Sequence, residues 1–215
     1  MKEQQKKYEL TGEFIEHRSG KKLYRIRALV SFGVVVAGQL GGFVESEKNL
    51  DQSLSGDAWV YGNALVYGDA RVSGDARVYG DAEVSGDARV YGNALVYGNA
   101  WVSCDALVYG NALVYGDAEV SGNALVSGDA EVSGDARVRS YAVVSNRKMI
   151  FWASNVGSEN GTLTVFNGKN GLIVTRGCFT GTVDDFLAKS AEVHDDKTKN
   201  EYKLLIEVAK SRILG

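Results

Sequence analysis

The sequence predicts an all-β parallel β-helix, a triangular prism of about five to six coils with an N-terminal β cap and a small C-terminal α+β domain. Three observations carry that prediction. From Leu54 to Val143 the chain falls into fifteen six-residue units: aliphatic, Tyr or Ser, Gly, Asp or Asn, Ala, variable, as in Val60-Tyr-Gly-Asn-Ala-Leu65. Such a fixed period marks a repeat architecture. Ala58 through Ala142 hold Ala in all fifteen units, and the aliphatic position is Leu54 followed by Val at every sixth residue. The chain has 26 glycines and no proline, which fits one turn repeated at set points, where glycine supplies positive φ.

Taken in order, residues 1–53 form the cap and a degenerate first coil. Tyr8–Glu16 and Leu23–Val30 read as strands around the turn Arg18-Ser-Gly-Lys21, and Val36-Ala-Gly-Gln-Leu40 reads as a degenerate hexad, since Val36 lies eighteen residues before Leu54. The start, Met1 to Lys7, lacks the apolar core of a secretory signal. Residues 54–145 form the prism. Ala, variable, Val and Tyr/Ser alternate inward and outward as a strand requires, and Gly-Asx supplies the corner. Three strands and three corners close a coil of eighteen residues, so five coils rise roughly 24 Å.

Residues 146–215 form the last domain. Met149–Ser154, Thr162–Phe166 and Leu172–Thr175 read as short strands, with Asn167-Gly-Lys-Asn-Gly171 as a hairpin turn. Thr182-Val-Asp-Asp185 reads as a helix start before Phe186–Val193, and Lys199–Leu214 as an amphipathic helix. This domain is placed to cover the open end of the prism, where strand edges would otherwise stay unpaired.

The repeat resembles the hexapeptide-repeat, left-handed β-helix family, whose motif is an aliphatic residue and a small residue four later, every six. The resemblance covers about ninety residues, and it, not the spacing, implies the left hand. The run Ala37-Gly-Gln-Leu-Gly-Gly-Phe-Val44 also resembles the N-terminal section of uncharacterised bacterial and phage hexapeptide-repeat proteins. Acyltransferases of this fold use a histidine base near a subunit interface; here only His17 and His194 are present, and neither lies in the repeat. They read as a surface histidine and a helix-capping histidine, and the expectation leans away from an enzyme. A zinc site of three histidines is not supplied. The stacked column Asp69, Asp87, Asp105 reads as turn geometry rather than a calcium site. No cofactor and no metal is expected.

Stacking at eighteen residues sorts the outward positions into three faces. Face A carries Trp59, Tyr61, Tyr79, Leu95, Tyr97, Leu113 and Tyr115; face C carries Leu107, Tyr109 and Leu125 in its upper coils; face B is mostly polar. Apolar stripes of this kind are seldom left bare on a soluble monomer. Packing A of one chain on C of the next is a heterologous contact that three copies close into a ring, and the resemblance also implies a homotrimer.

Charge divides the chain. The repeat has five arginines against twelve carboxylates, which excludes direct DNA binding along the prism, while residues 146–215 hold ten Lys/Arg against eight acids. Arg147, Lys148 and Trp152 fall beside Phe151, Lys169 sits in the hairpin turn, and Arg176, Phe179 and Thr180 run toward a helix start whose amides suit a phosphate. No apolar window is long enough to span a membrane. The two cysteines, Cys104 and Cys178, read as free thiols in a reducing cytosol. The resulting expectation is a non-enzymatic trimer in the cytoplasm of a bacterial host. Its partners are other copies and a cyclic oligonucleotide or other nucleotide-derived molecule, as in a phage sponge that sequesters an immune signal. The alternatives are a degenerate acyltransferase and a structural or protein-binding scaffold.

Overall fold

The computed structural model describes residues 5–215; the opening residues 1–4 lie outside the described part. A hairpin comes first, β1 (Tyr8–Glu16) and β2 (Lys22–Ala28), followed by β3 (Leu40–Val44). Fifteen two-residue rungs then recur every six residues, from β4 (Trp59–Val60) to β18 (Val143–Val144). Each rung pairs in parallel with the rung eighteen residues on, as Leu95 pairs with both Arg77 and Leu113. The result is a parallel β-solenoid of about six turns with three sheets.

The valines and alanines fill it. Every Val and Ala from Ala58 to Val138 at the two inward positions is fully buried. Alanine is required because three strands converge on one axis at native packing density. The corners turn at positive φ: Gly98 sits at +72°, and Cys104 and Ser140 take the same conformation at 60° and 62° where the glycine is replaced. The corner side chains form ladders up the prism. Asn63 donates to Asp81 at 3.2 Å and Asn99 to Asp117 at 2.9 Å.

Two readings of the lower end are corrected. Leu54 and Val36 do not point inward; they are 48% and 64% exposed. The first coil is instead built by Val44, which pairs with Val66, and Leu50, which bridges Val72. That turn is twenty-two residues long, and within its extra segment Asp51 accepts from the Ser53 amide. The solenoid therefore begins at about Leu40 rather than at residue 54.

The hairpin extends the sheet of face B, since β2 lies antiparallel to β3. Its turn reaches up that face: Arg18 contacts Glu83, and the His17 ring lies 4.6 Å from the Tyr67 ring. Lys7 closes the bottom, fully buried, donating from Nζ to the Gly56 carbonyl at 2.7 Å.

At the top, β19 (Ile150–Val156), β20 (Gly161–Gly168), β21 (Gly171–Arg176) and β22 (Phe179–Thr182) form an antiparallel sheet. Helices α1 (Val183–Val193) and α2 (Asp196–Leu214) follow. This domain covers the last coil, as the exposed edge demands. Two buried hydroxyls take the place of the missing next rung. The Arg137 amide donates to Thr164 Oγ1 at 3.0 Å, and Thr175 Oγ1 donates to the Arg137 carbonyl at 2.6 Å. Ile150 and Phe166 plug the prism's core. No described helix is long and apolar enough to cross a membrane.

Candidate functional site

The seven C-terminal residues singled out in the sequence do not meet at one point. Arg147 and Lys148 border a groove beside face A with Leu113, and Arg147 is ion-paired to Glu131 at 2.8 Å. Trp152 is half-buried at the seam over the Gly134 corner. Lys169 and Thr180 share a second groove with Tyr141. Arg176 and Phe179 line a third cleft, together with residues of both helices.

The phosphate reading of the α1 start is corrected. Phe179–Thr182 forms the fourth strand, paired to β21. The helix end is already filled: Thr182 Oγ1 accepts from the Asp185 amide, and the Asp185 carboxylate accepts from the Thr182 hydroxyl at 2.7 Å. Asp184 and Asp185 in the first turn complement the dipole and repel an anion.

The third cleft, about 220 Å³, is built where the β21–β22 turn meets the junction of the two helices. Hydrophobic spacing on α1 sends Val183 and Phe186 into the domain core. Phe186 packs against Phe179 with the rings tilted and 5.4 Å apart, and meets Tyr202 of α2 edge-on at 5.1 Å. His194 ends α1, its backbone amide donating to the Ser190 carbonyl, and its ring meets Tyr202 edge-on at 5.4 Å. Gly157 is needed there: at φ +70°, it leaves the space in which the Tyr202 hydroxyl sits.

Polar groups punctuate this apolar wall. Arg176 donates from Nε to the Tyr202 hydroxyl and from Nη2 to the Val156 carbonyl, both at 3.1 Å. Neither partner is a carboxylate, so its charge is not neutralised by these bonds. The Lys189 ammonium lies 5.8 Å from the Phe179 ring centroid. Ser190 Oγ and His194 Nδ1 are buried without a hydrogen-bond partner. Leaving such a group unpaired costs about 1–3 kcal/mol. An apolar pocket with a few convergent polar groups is the usual form of a small-molecule site.

Sequence reasoning missed Lys189, Ser190, His194 and Tyr202 as a group. Its one available signal was Ser190, a hydroxyl on the helix face that carries Val183 and Phe186. Among the described residues no cluster of His, Cys, Asp and Glu suits a metal ion.

The faces of the prism stand as sorted, with one correction. Trp59 is fully buried, because Tyr8 and Phe32 of the N-terminal segment close over it edge-on; it cannot meet another chain. Tyr79, Tyr97 and Tyr115 form a continuous stack with rings 4.8 Å apart, and Tyr91 stacks on Tyr109 at 4.9 Å. Tyr115 donates to Glu131, which pushes its hydroxyl pKa up. Leu95, Leu107, Leu113 and Leu125 are left half-buried beside these stacks.

Comparison with known proteins agrees with the fold. A family model described as the YdcK beta solenoid repeat matches residues 58–74, 70–86 and 88–103, all within the coils. No curated protein matches the chain. The C-terminal cleft lies outside the matched residues.

Proposed function

We propose that this β-solenoid repeat protein is a non-catalytic binding protein, in which the coils hold copies together and the C-terminal domain holds a small ligand. The observation that carries the ligand half is the cleft of Phe179, Phe186, His194 and Tyr202, with Lys189 and Arg176 beside its rings. Aromatic walls suit a planar ring, the ring stacking that nucleotide-binding proteins use, and the two cations Lys189 and Arg176 against the one carboxylate of Glu159 suit an attached anion. At about 220 Å³ the cleft is smaller than the roughly 300–1,000 Å³ of a drug-sized site. It takes one ring system, so a cyclic oligonucleotide would seat one base per copy.

The assembly half is supported by the half-buried leucines and stacked tyrosines of faces A and C, which favour a closed trimer through heterologous A-to-C contacts. Several sites on one trimer bind a multivalent ligand far more tightly than one site alone. Sequestration of a nucleotide signal, as in a phage counter-defence protein, is the role that combination suits.

Incubation with cyclic oligonucleotides and mononucleotides, followed by heat release, tests the reading. Intact recovery of ligand in proportion to protein is the expected result. Chemical conversion of the ligand, or no retention of any nucleotide, would overturn it. Leu113→Glu together with Leu125→Glu is expected to reduce a sedimenting trimer to single chains.

A further inference from the structure

We infer that the apolar cleft is one half of a two-part site, which continues past Arg176 into a polar cleft and takes a ribonucleotide, base on one side and ribose on the other. The inference rests on the ligand reading proposed above and adds to it the sugar and the residues that recognise it.

Arg176 and Gly177 line both clefts, so a single side chain forms the partition. Its guanidinium is held by Tyr202 on one flank and by the Val156 carbonyl on the other. Nη1 makes neither of those bonds. It stands over Gly161, where a Cβ would lie only 2.3 Å from it. A larger residue at 161 would push the guanidinium aside, so glycine there keeps the partition in place.

The two sides differ in chemistry. On the first are the rings of Phe179, Phe186 and Tyr202, which suit the face of a base. The second, about 300 Å³, opens between the last coil and β19–β20. It is lined by the hydroxyls of Ser154 and Thr162, the carboxylate of Asp135 and the carboxamides of Asn155 and Asn160. Ser154 Oγ donates to Asp135 at 3.1 Å and lies 3.0 Å from Thr162 Oγ1, so the group is already ordered. Arg137 also lines this cleft, with its guanidinium 3.8 Å from the Glu119 carboxylate, and such a set of hydroxyls and carboxamides beside a carboxylate and an arginine suits sugar hydroxyls. Asn155 and Asn160 both sit at positive φ, 59° and 46°. Backbone held in that region tends to collect at ligand sites.

The test titrates the full chain with adenosine, guanosine, cytidine and uridine 5′-monophosphates, each beside its 2′-deoxy counterpart and its free base. The nucleotide that binds is expected to do so about tenfold more tightly than its deoxy form, the effect of one well-made hydrogen bond. The Asn155→Gly, Asn160→Gly double variant removes both carboxamides while relieving the backbone. It is expected to bring that ratio toward one with the melting temperature kept. Phe179→Ala is expected to weaken ribo and deoxy forms alike. Equal binding of the two forms, or a ratio unmoved by the double variant, overturns the two-part site and leaves the base cleft standing. No binding of any nucleotide or base overturns both.

Discussion

Stacked corners make a quantitative prediction, because two glycines share one backbone conformation and differ in what lies above them. Gly62 and Gly98 have φ of 61° and 72°. A Cβ on Gly62 would find its nearest neighbour 3.7 Å away, at the Gly80 carbonyl oxygen. On Gly98 it would lie 3.0 Å from the Gly116 carbonyl-to-amide backbone, at the nitrogen, and 3.1 Å from that residue's oxygen. An L-residue in the left-handed region costs roughly 1–2 kcal/mol, offset by roughly 0.4–1 kcal/mol from the stiffer unfolded chain. Gly62→Ala should therefore cost about 1 kcal/mol. Gly98→Ala adds overpacking against backbone that has no rotamer to change, at least about 1 kcal/mol more. In a chain of this length each kcal/mol moves the melting temperature by roughly 2–4 °C. The assay is urea unfolding of both variants beside Cys104→Gly, which reverses the same strain at φ 60° and should gain about 0.5–1 kcal/mol. Equal losses for the two alanine variants, or a loss for Cys104→Gly, would refute the stacking argument.

Three further outcomes are expected. Thr164→Val leaves the Arg137 amide without its acceptor and should cost about 1–3 kcal/mol, measured by thermal unfolding, whereas Thr162→Val at the surface should cost little. Asp87→Asn replaces the middle carboxylate of the Asp69, Asp87, Asp105 column with a donor of the kind Asn63 and Asn99 already supply; it should raise the melting temperature by about 1–2 °C, less at high salt. Alkaline pH should destabilise the fold. Burial, then the bond to Glu83, pushes the Tyr67 hydroxyl up to about 12, and burial raises Tyr8, Tyr61, Tyr79 and Tyr91. The unfolded chain then loses these protons first, near pH 10, so their stabilisation is complete below about 10 and drains away as pH rises toward 12. Lys7 runs the other way, since burial lowers its pKa, but one lysine opposes six tyrosines, counting Tyr115 raised by its bond to Glu131. Unfolding midpoints across pH 9–12, with tyrosinate absorbance, check the sign.

The repeat was legible because its chemistry is periodic: Ala recurs in all fifteen units, and Val and Gly-Asx in nearly all of them, each restating the same local geometry. The C-terminal hairpin turn and the Thr182 cap were legible too, from local turn and cap chemistry. What failed were places where distant parts of the chain decide. Leu54 fits the hexad but is turned out because Leu50, not Leu54, takes the inward place in a first coil four residues longer than the rest. Trp59 has an outward position but is roofed by Tyr8 and Phe32, and β22 follows a tight turn at Gly177–Cys178 that reads like a loop. The cleft was half visible, in Arg176 and Phe179. Its other wall comes from His194 and Tyr202, which the connection between α1 and α2 brings together, and no local pattern announces that.

Native mass spectrometry of the purified full chain tests the central claim most directly, because one spectrum reports both assembly and retained ligand. The account predicts three chains carrying a nucleotide-type molecule that Phe179→Ala releases while the trimer persists. A single chain with no nucleotide retained or taken up on addition would contradict it.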